Sequence, residues 1–98
     1  MKIKFIVNPI SGKGKQKDIE NTIRENLDAQ KYEYSIQFTE KQGHAKELGK
    51  QAITDGYEGI IAVGGDGTVN EIASECIGNN TILGIIPAGS GNGFAYHL

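Results

Sequence analysis

The chain contains one cysteine, Cys76. An intrachain disulfide and a Cys-rich zinc site are therefore excluded, and a reducing compartment fits. No stretch approaches the roughly 20 apolar residues that span a bilayer. The opening MKIKFIVNPI has too short an apolar run for a signal peptide and ends its run at Asn-Pro. The expected location is the cytoplasm, with peripheral contact to a membrane permitted. An extended basic field is missing too: the net charge is -2, with lysines and acids interspersed, so nucleic acid is not expected as the main partner. There is no internal repeat, low-complexity run or linker, and 98 residues read as one small domain. That domain looks cut short, because the last segment, Phe94 to Leu98, enters a helix with no evident end.

The familiar nucleotide fingerprints are also lacking. Gly12-x-Gly14 is followed by Lys17 where a dinucleotide motif needs its third glycine, and Gly89-x-Gly91-x-Gly93 has the wrong spacing. No run satisfies the P-loop pattern. A conventional Rossmann dehydrogenase and a Walker-type NTPase are disfavoured.

What the chain has in excess is glycine, with 14 residues, about twice the share expected from average usage of roughly 7%. The positions explain the excess. Short apolar runs alternate with helical periodicity, the pattern of βα units around a mostly parallel sheet. Ile3 to Val7 is the first strand, followed from about Lys15 by a helix with Ile19, Ile23 and Leu27 on one stripe. Tyr34, Ile36 and Phe38 alternate with polar residues, as in an edge strand, with Tyr32 and Tyr34 serving packing rather than base stacking. After Gly43, the residues Ala45, Leu48, Ala52 and Ile53 mark a second helix. GIIAV (59–63) has no alternation and predicts a strand buried on both faces. Val69, Ile72, Ala73, Cys76 and Ile77 then mark a third helix, and ILGII (82–86) a fourth strand ending at Pro87.

NPISGKG follows the first strand, GGDGT the third and PAGSGNG the fourth. Each glycine-rich loop lies at the carboxyl end of a strand, and in a parallel sheet those ends share one edge, where open α/β sheets bind ligands. Glycine there permits close backbone approach, and the following helix start offers free N–H groups and a positive dipole end. Phosphate suits that combination. Asp66, at the centre of GGDGT, has two readings. It is a helix N-cap, or it holds a cation between its carboxylate and a polyphosphate, as Mg²⁺ binds through one or two carboxylates plus phosphate oxygens. With three loops converging, a metal-nucleotide site is the better fit. Thr68 either donates to phosphate or assists the helix start, and Asn70 and Glu71 either line the crevice or are solvated. Asn8 is raised as a nucleotide contact by its place on the crevice edge. Lys13, Lys15 and Lys17 are candidates to reach phosphate, while His44 is expected at the surface rather than in catalysis.

The ordered set NPISGKG, FTE with GHA after it, GGDGTVNE and PAGSGNGFA resembles the diacylglycerol kinase catalytic domain family, which includes sphingosine and ceramide kinases and bacterial lipid kinases. The resemblance covers essentially the whole chain. It implies a three-layer α/β domain, related to NAD kinases, with a mostly parallel sheet and helices on both faces. This domain would hold ATP and Mg²⁺ at the loop edge, and a β-rich second domain contributing the lipid site would lie outside these 98 residues. By analogy Asn8, Ser11 and Gly12 approach the nucleotide, Thr39 and Glu40 border it, and Gly64, Gly65, Asp66, Gly67 and Thr68 wrap the phosphates. Glu71, Ser90, Gly91 and Asn92 complete the neighbourhood, with Asp66 as metal ligand and catalytic candidate. Many bacterial members carry Asp where this chain has Gly93. G-S-G-N before a small residue resembles the sphingosine kinase branch.

The expected activity is ATP-dependent phosphorylation of a lipid hydroxyl at a membrane surface, by a protein that allows a homodimer. The proton is taken by Asp66 or by a carboxylate of the second domain, and the isolated 98 residues are expected to turn over little. An NAD kinase is the competing enzyme, opposed by NPISG and PAGSGN. A nucleotide-binding module without catalysis is the competing class.

Overall fold

The computed structural model describes the backbone of residues 1–8, 15–28 and 30–87, and within that span the side chains of 15–19, 66 and 87 lie outside the description. Seven elements alternate along the chain: β1 (Lys2–Val7), α1 (Lys15–Asn26), β2 (Glu33–Phe38), α2 (His44–Thr54), β3 (Gly59–Gly64), α3 (Asp66–Cys76) and β4 (Ile82–Pro87). The four strands form one sheet in the order β2-β1-β3-β4, and every pairing is parallel.

That order explains the layers. From β1 to β2 the chain steps one way along the sheet, and from β2 to β3 to β4 it steps the other way. Since parallel crossovers share one handedness, opposite steps place their helices on opposite faces. Ile23 of α1 accordingly packs with Ile3, Phe5, Val7, Ile61, Val63 and Ile86 on one face. On the other, Ala45, Leu48 and Ala52 of α2 and Ile72 and Cys76 of α3 pack with Ile6, Ile60 and Ala62. The odd and even positions of β1 and β3 therefore feed two different cores, because successive side chains point to opposite faces. A mostly parallel sheet between helical layers is what the sequence predicts.

Strand burial follows position in the sheet. β3 lies between β1 and β4 and is buried at all six residues, which is why GIIAV lacks alternation. β2, on the edge, is only half-buried, and Tyr34 sets its ring edge-on to Phe5 at 5.9 Å. Full burial of side chains such as Phe5, Ile6 and Ile60 contributes about 1.5–3 kcal/mol each. Gly84 on β4 faces Ile61, whose Cγ1 would lie 3.2 Å from a side chain placed there.

The helix ends decide one difference from the sequence reading. α2 closes as a Schellman motif, with Gly56 in the left-handed region (φ 87), its N–H donating to Ile53 O and Tyr57 N–H donating to Ala52 O. α3 ends at Cys76 and Ile77 turns extended, so Ile77, expected on the buried stripe, is 79% exposed. Helical periodicity holds only while the backbone is helical, and the stripe stops one residue early.

Candidate functional site

The strand register brings Val7, Phe38, Val63 and Gly64, and Pro87 to one edge of the sheet. Two backbone bonds continue the ladder beyond the strands: Asn8 N–H donates to Val63 O and Thr39 N–H donates to Val7 O, each at 2.8 Å. Asn8 is thereby fixed between β1 and β3, where the strand order reverses direction. That is the topological switch point of an open α/β sheet.

From this position Asn8 Nδ2 donates to Thr68 Oγ1 at 3.0 Å, tying the end of β1 to the first turn of α3. Thr68 is buried, as is Thr39 at the end of β2. The contact exists because residue 64 is glycine: a Cβ there would lie 2.9 Å from Thr68 Oγ1 and 3.2 Å from Asn8 Cβ. Thr68 therefore takes an intramolecular role, whichever of its two expected roles its hydroxyl also serves.

Gly65 and Gly67 are glycines for another reason. Neither has a positive φ, and a Cβ at either would meet nothing within 4 Å. Gly65 is the N-cap of α3, in extended conformation and without a side-chain cap. Asp66 is the first helical residue, so the N-cap role read for it belongs to Gly65. The first-turn N–H groups have no acceptor inside the helix. Open space above two glycines and a helix start suits a phosphate that must come close to the backbone.

Beside this turn lies a cavity of about 390 Å³ lined by Asn8, Thr39, Glu40, Lys41, Gln42, Ala45, Gly67, Thr68 and Glu71. Six of these, Asn8, Thr39, Glu40, Gly67, Thr68 and Glu71, are residues that the sequence points to, gathered from just beyond β1, just beyond β2 and the start of α3. Gly64 and Gly65 precede Gly67 in the same turn. Asn70, its alternative settled, is exposed. Ser11, Gly12, Lys13, Ser90, Gly91, Asn92 and Gly93 lie outside the described residues, as do the side chains of Lys15, Lys17 and Asp66. Lys41 and Gln42 were not singled out in the sequence, where they are two polar residues between FTE and GHA, and Ala45 was read only as a buried position of α2.

The wall formed by Thr39 to Gly43 is held at both ends. Glu40 N–H donates to His44 Nδ1 at 2.9 Å, and Gly43 N–H donates to Glu71 Oε1 at 2.9 Å. Gly43 has φ 85, a backbone state that favours glycine. His44, expected at the surface, is half-buried and braces this loop. Glu40 and Glu71 outnumber Lys41 in the cavity wall, so a polyphosphate needs a cation beside it. Among the described residues no three His, Cys, Asp or Glu side chains converge as a metal site. Glu40 and Glu71 are the carboxylates that the described lining offers to a cation. No described helix is long and apolar enough to cross a membrane.

The diacylglycerol kinase catalytic domain family matches residues 2–98. A diacylglycerol kinase of Staphylococcus haemolyticus is 39% identical over 97% of this chain and 30% of its own length. One from Bacillus subtilis is 35% identical over 97% of this chain and 32% of its own. A sphingoid long chain base kinase of Schizosaccharomyces pombe is 34% identical over 96% of this chain and 23% of its own. A crystal structure of a diacylglycerol kinase from Bacillus anthracis superposes with a TM-score of 0.66 at 30% identity, covering 93% of this chain and 34% of that one. The chain spans about a third or less of the length of these relatives.

Proposed function

Because the chain belongs to the diacylglycerol kinase catalytic domain family, we propose that it forms the nucleotide-binding part of a lipid kinase that transfers the γ-phosphoryl group of ATP to a lipid hydroxyl. The observation that carries this reading is the pair Gly65 and Gly67. Neither backbone angle nor packing within the described residues requires glycine there, and the open space at both leaves the backbone free for close approach of a ligand.

In this reading the N–H groups of Asp66, Gly67 and Thr68 bind phosphate oxygens, aided by the dipole of α3. The cavity between Thr39 and Glu71 takes the rest of the nucleotide. Asp66 would hold Mg²⁺, which would supply charge neutralisation for the phosphates. Asn8 keeps the first turn of α3 in place through Thr68. Transfer breaks the bond from the γ-phosphorus to the oxygen of ADP and forms one to the lipid oxygen. The hydroxyl proton passes to Asp66 or to a carboxylate in the part of the protein that this chain does not span. Such a reaction relies mostly on positioning and electrostatic stabilisation, which suits a site built from backbone groups.

The names of the relatives cover diacylglycerol and sphingoid base kinases, so the proposed acceptor is a lipid hydroxyl at a membrane surface rather than one named lipid. We assign residues 1–98 to the nucleotide half and the lipid site mainly to a further, β-rich domain. The test is an assay of the full-length protein with γ-labelled ATP and a total lipid extract and, separately, with NAD. Label in a lipid phosphate is expected. Label in NADP alone would overturn the assignment.

A further inference from the structure

We infer that Glu71 is a positioning residue, which locks the Thr39 to Gly43 wall of the cavity against the phosphate-binding turn through the Gly43 N–H and not through a direct bond to a metal. The functional half of this inference rests on the nucleotide reading above. The structural half stands without it.

Glu71 lies one turn beyond Thr68 on α3 and is half-buried. Its Oε1 accepts the N–H of Gly43, 28 residues away in sequence, at 2.9 Å. Gly43 is the N-cap of α2 and, lacking a side chain, supplies no cap of its own. The carboxylate of Glu71 therefore sits at the start of α2, where a negative charge meets the positive end of a helix dipole and makes a charge-assisted bond. The same short loop is braced within itself by His44, whose Nδ1 accepts from Glu40 N–H, and by His44 N–H donating to Lys41 O at 3.2 Å. Its entry is pinned by Thr39 N–H on Val7 O. Glu71 is thus the side chain that joins this braced loop to α3.

The relation to the site is geometric. Gly67 and Thr68 form one wall of the cavity, and Thr39 to Gln42 form the other. The Glu71 to Gly43 bond spans from the element that carries the first wall to the loop that carries the second. The two elements are also joined by α2 packing on α3, where Ala45 and Leu48 share a core with Ile72 and Gly49 faces Ile72. A residue in this place sets the width of the cavity. Its effect on a ligand runs through the acceptor oxygen at this place, and the charge only strengthens the bond.

Glu71→Gln keeps an acceptor of the same reach, and Glu71→Ala removes it. The measurement is hydrogen exchange of the 40–44 segment, together with the affinity for MgADP, in the full-length protein. Loss of the bond in Glu71→Ala is expected to speed exchange of this segment about tenfold or more while β3 stays protected, and to weaken MgADP roughly tenfold. Glu71→Gln is expected to stay within about threefold of the original protein in both readings. Unchanged exchange in Glu71→Ala would overturn the inference. So would a Glu71→Gln variant that keeps its loop protection but binds MgADP as weakly as Glu71→Ala, because a charge on the cation would then be the active element. If Glu71→Ala loses β3 protection, the Gln variant decides alone. Absence of MgADP binding by the unsubstituted protein would instead overturn the nucleotide reading, and the exchange result would still decide the structural half.

Discussion

Asn8 Nδ2 and Thr68 Oγ1 meet at 3.0 Å although 60 residues separate them in sequence. Their bond crosses the point where the sheet reverses its direction of growth, and it holds the start of α3 against the end of β1. Thr68→Val keeps the shape and leaves a half-buried amide without its acceptor. A loss of about 1–3 kcal/mol in unfolding free energy is expected. Denaturant melts would check it, and an unchanged midpoint would show that the bond contributes nothing.

The three glycines of the turn should separate in function. Gly64→Ala puts a Cβ 2.9 Å from Thr68 Oγ1 and is expected to cost about 1–3 kcal/mol through overpacking. Gly65→Ala and Gly67→Ala meet open space. For Gly67, inside the first turn of α3, alanine should raise stability by up to about 1 kcal/mol. Both changes should nevertheless weaken MgATP binding. Stable variants that bind as tightly as the original protein would remove the main support for a phosphate at this turn.

Asp66 is expected to act through the cation. Calorimetry with ATP should show binding that depends on Mg²⁺ in the original protein, and Asp66→Asn should lose most of that dependence. Equal binding by both proteins, with or without Mg²⁺, would contradict the metal role.

Cys76 has its thiol pushed above the ordinary value of about 9, first by burial and then by the neighbouring charge of Glu75. The fold thus holds the proton more tightly than the unfolded chain does. The resulting stability is present below about pH 9 and is lost as pH rises through the higher folded value. Melting against pH should fall more steeply above pH 9 in the original protein than in Cys76→Ala. Parallel curves would show that the thiol makes no contribution.

Neighbouring isoleucines near the end of α3 should differ sharply. Ile72, fully buried, should cost about 2–5 kcal/mol as alanine. Ile77, 79% exposed, should change stability by less than about 0.5 kcal/mol as serine. A large loss at Ile77 would mean that its side chain is covered in the full-length protein.

Much of the architecture was legible because local patterns report burial. The unbroken run GIIAV marked the central strand, and the alternation of Tyr34, Ile36 and Phe38 marked the edge. The glycine-rich stretches follow strands whose carboxyl ends lie on one edge, as strand ends in a parallel sheet must. Ile77 was misread because periodicity does not say where a helix stops. Asp66 was offered as an N-cap, and Gly65 holds that position, because the boundary depends on one residue's backbone angles.

The sequence by itself determined which runs are strands and which are helices, which strand ends share an edge, and which family the chain resembles. Each of these follows from local periodicity or from an ordered set of motifs. Only the tertiary structure decided that Asn8 pairs with Thr68, that Glu71 holds Gly43, and that His44 Nδ1 accepts from Glu40 N–H. Those contacts join residues from different elements, and their existence depends on strand order and helix packing. A missing Cβ at Gly64 is visible in the sequence, but the hydroxyl that occupies its place is visible only in the fold.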